Sequence, residues 1–175
     1  VINSLINHLE ISDVVLLGYS GGAQIAINTA LEYPELISKV IADSFEGDQS
    51  VSDFADNIFE DRKKDKKNPI AKLFWFLMHG SDWNQVVDND TNIIYNHHHT
   101  IGCFFHKDLS EIQVPLYLTG SENDEYIKDF YEIYNYIKEK VVHCQIKIFD
   151  TGKHPASLTV GDDYIDEIIN FISNK

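Results

Sequence analysis

Three short stretches of this sequence hold residue types that could make and break acyl bonds. The first is Gly18-Tyr19-Ser20-Gly21-Gly22, a serine flanked by small residues. A serine on a sharp strand-to-helix turn sits in strained backbone, and Gly18, Gly21, Gly22 and Ala23 would relieve the crowding around it. Such a turn holds the hydroxyl at a helix N-terminus, where the N–H of Gly21 can face a developing oxyanion. A serine hydroxyl alone is a poor nucleophile; it needs a base, and the base needs an orienting acid. Gly120-Ser121-Glu122-Asn123-Asp124-Glu125 offers the acid, and Asp150-Thr151-Gly152-Lys153-His154-Pro155 offers His154 as the base. A glycine-rich turn that binds phosphate, or merely connects two elements, would account for the first stretch only.

The elements around these stretches predict where they lie. Residues 1–11 place Val1, Leu5 and Leu9, with Ile2 and Ile6, at helical spacing. Val14-Val15-Leu16-Leu17 is a short, wholly apolar run, which predicts a strand buried on both faces in a parallel sheet covered by helices. An alanine-rich helix follows the serine turn and ends before Pro34, and Lys39–Asp43 reads as a second buried strand, completing a βαβ unit. Residues 114–119 and 145–149 predict two more strands. A helix over about 125–140 carries Ile127, Phe130, Tyr131, Tyr134 and Ile137, and a last one carries Tyr164, Ile165, Ile168, Ile169 and Ile172. The acidic loop and the histidine loop each follow a strand, at the carboxyl edge where parallel sheets gather their functional groups.

Residues 46–112 differ. A charge run, Glu60 to Lys67, precedes the apolar segment Ile70–Met78 and a polar stretch containing His97-His98-His99. Two or three helices joined by polar loops are expected, with no strand, and the charge run reads as a solvated helix end or loop. Consecutive histidines on a helix point in different directions and cannot converge on one metal ion, so these read as surface residues, as do His79 and His106.

The chain has 175 residues, enough for one domain with a real core. Its 28 acidic and 14 basic residues give a net charge of −14, which repels nucleic acid and anionic membrane surfaces. Two cysteines, Cys103 and Cys144, are too few for a disulfide framework and read as reduced thiols. No signal-like opening and no long apolar run is seen, so a soluble cytoplasmic protein is expected.

The segments "GYSGG", "ALEYPELISKVIAD", "IQVPLYLTGSEND" and "TGKHP" resemble the C-terminal two-thirds of α/β-hydrolase-fold serine hydrolases, in the matching order. The resemblance implies a partial α/β-hydrolase fold: a parallel sheet flanked by helices, with the core in 1–45 and 113–175 and a helical cap in 46–112. It implies Ser20 as nucleophile, His154 as general base and Asp124 as acid. In many relatives the acid stands at the place of Asn123 here; a turn longer by one residue delivers Asp124, and Glu122 is the runner-up. Gly21 would give an oxyanion N–H. Tyr19, Trp83, Phe104 and Phe105, with Trp75 and Phe76 nearby in sequence, would meet the acyl group or else form ordinary cap core. The cap and the loop before His154 also resemble esterases related to the valacyclovir-hydrolase group. That group carries an acidic residue after its nucleophile, where this chain has Gly21, so its amino-ester preference does not transfer.

The implied activity is hydrolysis of a small carboxylic ester or related acyl compound through an acyl-enzyme, with no metal or organic cofactor. The same triad would serve an acyltransferase or a C–C bond hydrolase, and the fold also hosts ligand receptors without catalysis. A complete member of the family carries earlier strands and a loop with the second oxyanion donor. The chain therefore reads as a fragment of a longer gene product, with strand 14–17 left as a bare apolar edge. Loss of one oxyanion donor costs about 10²–10³ in turnover, so these 175 residues alone are expected to be nearly inactive and poorly behaved.

Overall fold

The computed structural model describes residues 1–49 and 52–174. The chain divides into two compact units: Val1–Asp48 with Phe105–Lys175, an α/β unit, and Gln49–Phe104, a helical one. In chain order the α/β unit contains α1 (Ile2–His8), β1 (Val14–Tyr19), α2 (Gly21–Glu32) and β2 (Ile37–Asp43). The helical unit holds α3 (Ser52–Asp65), α4 (Pro69–His79) and α5 (Trp83–Thr100). The α/β unit resumes with β3 (Leu116–Ser121), α6 (Phe130–Lys140), β4 (Cys144–Phe149), the short α7 (Ala156–Thr159) and α8 (Asp162–Ser173).

The four strands form one parallel sheet in the order β1-β2-β3-β4. Every residue of β3 is buried, as the centre of a two-sided parallel sheet requires. Successive side chains alternate between the faces. Ile41 and Tyr117 point one way, into a cluster with Phe149, Ala156, Tyr164, Ile168 and Phe171 under α8. Val40, Ala42, Leu116 and Leu118 take the other face, also fully buried. Each large side chain so placed contributes about 1.5–3 kcal/mol of burial free energy. Helix α2 packs on β1 and β2 and buries Ile27 and Leu31 together with Ala23, Ala26 and Ala30, whose small side chains let its backbone approach the sheet.

Two expectations are corrected. Strand β1 is not buried on both faces: among the described residues it pairs with β2 alone, and Leu17 is 48% exposed. Helix α6 starts at Phe130 instead of near 125. Asp129 is left-handed at φ 59°, which interrupts a right-handed helix, so helical hydrogen bonding starts at its carbonyl, which accepts from Glu132 N and Ile133 N at 3.0 and 3.1 Å.

In the helical unit, α3 and α4 both pack on α5. Rings pair along these contacts, Phe59 tilted against Tyr95 with centroids 4.9 Å apart and Trp75 stacked on Trp83 at 5.7 Å. The charge run covers the C-terminal end of α3 and the turn after it and is exposed except at Arg62 and Lys66, which are half-buried. Arg62 reaches Asp90 at 2.5 Å and Lys66, in the turn, pairs with Asp88, tying this end of α3 to α5. The sole strand-like feature among the described residues of this unit is a single bridge, Gln49 to Cys103. No described helix is long and apolar enough to cross a membrane.

Candidate active site

The turn after β1 places Ser20 at the N-cap of α2 with φ 51° and ψ −130°, a conformation that costs an L-residue free energy. Its backbone N–H donates to Asp43 O at 2.9 Å, and its own carbonyl accepts from Ala23 N at 2.9 Å, so the strain is held by hydrogen bonds on both sides. Gly18 is obligatory here. A Cβ at that position would lie 2.1 Å from the carbonyl oxygen of Gly22, because the chain doubles back at Ser20 and presses the first turn of α2 against the strand end. Gly21 and Gly22, expected to relieve crowding too, have nothing within 4 Å of a Cβ. They are exposed at the helix start, where the first N–H groups of a helix lack intrahelical partners. Tyr19, before the serine, is 46% exposed.

The loop after β3 delivers Asp124. Its side chain is fully buried, with Oδ1 accepting from the N–H groups of Tyr126 and Ile127. Oδ2 lies 2.8 Å from His154 Nδ1. An ionised carboxylate can only accept, so this contact fixes the hydrogen on Nδ1 and leaves Nε2 as the basic nitrogen. Glu122, the other acid considered, is exposed and accepts from the Tyr131 hydroxyl at 2.9 Å. His154 is further held by its N–H, which donates to Glu125 Oε2 at 3.2 Å, and by Tyr126, whose ring meets the imidazole edge-on at 5.1 Å.

The structure thus brings Asp124 and His154 together. Among the described residues no hydrogen bond joins Ser20 Oγ to His154; catalytic hydrogen bonds of free enzymes are often long and tighten with substrate. Of the aromatic residues named from sequence, Trp83 stacks on Trp75, Phe104 stacks on His97 at 4.9 Å, and Phe105 is buried in the α/β unit. His99 packs against Tyr95 and lies 3.4 Å from Asp56. Among the described residues no three His, Cys, Asp or Glu side chains gather as a metal ion would need.

Sequence reasoning missed Asp43 and Ser44. Asp43 closes β2 and is fully buried, and burial pushes its carboxyl above the usual carboxylate range. It accepts from Thr119 Oγ1 and from Ser157 N–H, both at 2.8 Å. Ser44 Oγ accepts from Ala156 N–H at 3.0 Å. Beside them the buried Tyr134 hydroxyl donates to Thr119 O at 3.0 Å. The available signal was an acidic residue ending the apolar run Val40-Ile41-Ala42, since a carboxylate is almost never fully buried without partners.

No protein-family model and no curated protein matches the chain. Solved structures do. An esterase from Exiguobacterium antarcticum superposes with a TM-score of 0.71 at 20% identity, over 99% of this chain and 71% of that one. A lipase-esterase related protein from Clostridium acetobutylicum gives 0.65 at 21% identity, over 97% and 73%. A Bacillus megaterium epoxide hydrolase gives 0.67 at 15% identity, over 99% and 74%. The sheet and its helices therefore form a partial α/β-hydrolase fold.

Proposed function

We propose that the protein is a serine hydrolase acting on a small carboxylic ester or related acyl compound. The observation that carries this reading is the buried Asp124 carboxylate on His154 Nδ1, in a fold whose strained Ser20 caps the helix after β1. In the proposed reaction Nε2 of His154 accepts the Ser20 Oγ proton as Oγ attacks the acyl carbon. The oxyanion that forms meets the N–H of Gly21 at the positive end of α2. The protonated imidazole then gives its proton to the departing alcohol, leaving an acyl-Ser20 ester. Water, deprotonated by His154, attacks that ester, and the imidazolium returns the proton to Ser20 Oγ as its bond to the acyl carbon breaks and the acid is released. Asp124 holds the tautomer and stabilises the imidazolium throughout.

That esterases and an epoxide hydrolase share the fold supports hydrolysis of small molecules. The helical unit, Gln49–Phe104, is in this reading the cap, and Tyr19 a residue that touches substrate. Small-molecule acyl substrates, and neither nucleic acid nor membrane, suit the net charge of −14.

The test is a fluorophosphonate probe, which reacts covalently with activated serines. Labelling mapped to Ser20 by peptide mass spectrometry, and lost in Ser20→Ala and His154→Ala, is the expected result. A full-length wild-type protein that is folded by circular dichroism and takes no label at Ser20 would overturn the assignment and favour a ligand receptor on the same fold.

A further inference from the structure

We infer that Asp43, with Ser44 beside it, is a positioning element that couples the nucleophile turn to the loop carrying His154. This inference rests on the triad reading above and deepens it.

The two residues grip both partners of the proposed reaction from the end of one strand. On one side, the main-chain carbonyl of Asp43 accepts the Ser20 N–H at 2.9 Å and so fixes the turn at its strained residue. On the other side, Asp43 Oδ2 accepts the Ser157 N–H at 2.8 Å, and Ser44 Oγ accepts the Ala156 N–H at 3.0 Å. Those amides stand two and three residues after His154. Ser121 Oγ, at the end of β3, holds the same loop on its other flank through the carbonyls of Thr151 and Gly152, both at 2.9 Å. His154 therefore sits between two anchored points, one on β3 and one on β2, and only the β2 anchor also holds Ser20.

The grip is itself rigid. Asp43 and Ser44 are 0% exposed, Asp43 Oδ1 accepts from Thr119 Oγ1 at 2.8 Å, and Ser44 N–H donates to Thr119 O at 2.8 Å. An apolar side chain would fill the strand end without the cost of burying a carboxylate. It would also leave the Ser157 amide of the histidine loop without an acceptor, as loss of the Ser44 hydroxyl would the Ala156 amide, and free the loop to shift. A displacement near 1 Å between reacting groups costs roughly 10²-fold in rate.

The test compares Asp43→Ala, Asp43→Asn and Ser44→Ala in the whole chain. Asparagine is isosteric: Oδ1 can accept from Ser157 N–H while Nδ2 donates to Thr119 Oγ1, whose own hydrogen can turn to the Tyr164 hydroxyl 3.3 Å away. Two readouts are taken. One is the fluorophosphonate labelling rate at Ser20. The other is the proton NMR signal of the His154 Nδ1–H in its hydrogen bond to Asp124, which needs no activity. Asp43→Ala is expected to slow labelling by about 10- to 100-fold and to broaden or shift the Nδ1–H signal, with Asp43→Asn restoring both. If Asp43→Ala does not fold, Ser44→Ala decides, with a several-fold slowing and a shifted signal expected. Folded variants whose labelling rate and Nδ1–H signal equal the wild type would overturn the inference. A wild type that takes no label at Ser20 sinks the hydrolase reading instead, and the NMR signal still decides whether Asp43 positions His154.

Discussion

Asp124 and His154 are joined side chain to side chain at 2.8 Å, while Glu122, two residues earlier on the same loop, turns out to Tyr131. The difference follows from the turn after β3. It directs Asp124 inward, where two backbone amides take one carboxylate oxygen, and leaves Glu122 exposed.

The two acids are therefore expected to behave very differently. Asp124→Asn, which disturbs the imidazole tautomer without changing shape, should lower the labelling rate or kcat by about 10³–10⁴-fold. Glu122→Gln should change it less than about twofold, as removing an exposed partner is worth a few tenths of a kcal/mol. Equal losses in the two variants, read by stopped-time labelling with the fluorophosphonate, would reverse the assignment.

Gly18 and Gly22 offer a second contrast within one turn. Gly18→Ala sets a methyl 2.1 Å from a backbone oxygen that cannot move without unwinding α2. It should destabilise by about 3 kcal/mol or more, in the upper range of overpacking costs, and release the strain at Ser20. Gly22→Ala places its methyl in open space and should raise stability slightly, by up to about 1 kcal/mol, through the helix propensity of alanine. Urea unfolding of the two variants checks both signs.

Asp43 should leave a signature in the pH dependence of stability. Burial raises its folded pKa above the 3.8 of an ordinary carboxyl, so the folded state binds the proton more tightly than the unfolded state. The stabilising contribution is complete below 3.8 and is lost as pH rises through the higher folded value. Tyr134 and Tyr164, the titratable groups beside it, are pushed upward by burial and stay neutral throughout that window. Asp43→Asn has no such dependence. The unfolding free energy of the variant relative to wild type is thus expected to climb as pH rises above 3.8 and to level off once pH passes the folded value. A difference that is flat with pH would show that Asp43 does not titrate in that range.

Cys144 should be chemically silent in the folded protein. It is buried at the start of β4, and burial pushes its thiol up to about 12 from 9.0. That shift lowers the thiolate fraction about a thousandfold near neutral pH, and the thiolate is the reactive form. Mass-spectrometric mapping after iodoacetamide treatment at pH 8 should find Cys144 unmodified until urea unfolds the chain. Modification at the rate of a free thiol would contradict the burial.

Much of this molecule was legible in its residues. An apolar run without polar alternation marked β1, and apolar spacing of three and four marked α1, α6 and α8. Ser20, His154 and the acidic loop were singled out because each follows a strand end, and the structure brings two of these places together as Asp124 on His154. The start of helix α6 differs from the expected 125 because hydrophobic period cannot sense the left-handed backbone at Asp129. The run Glu60–Lys67 is a largely exposed helix end, as expected, but its pairs Arg62–Asp90 and Lys66–Asp88 were not legible, since the partners lie more than twenty residues further on.

By itself, the sequence determined which elements form, the parallel character of the sheet and the residue types able to do acyl chemistry. Those properties are local: they follow from hydrophobic period, turn residues and side-chain reactivity within a few neighbours. The tertiary structure showed that Asp124, and not Glu122, meets His154, and revealed Asp43 and Ser44 beneath the histidine loop. Each of those depends on a distance between atoms far apart in the chain. A hydrogen bond of 2.8 Å exists only once β2, β3 and the loop after β4 have been brought together by the sheet.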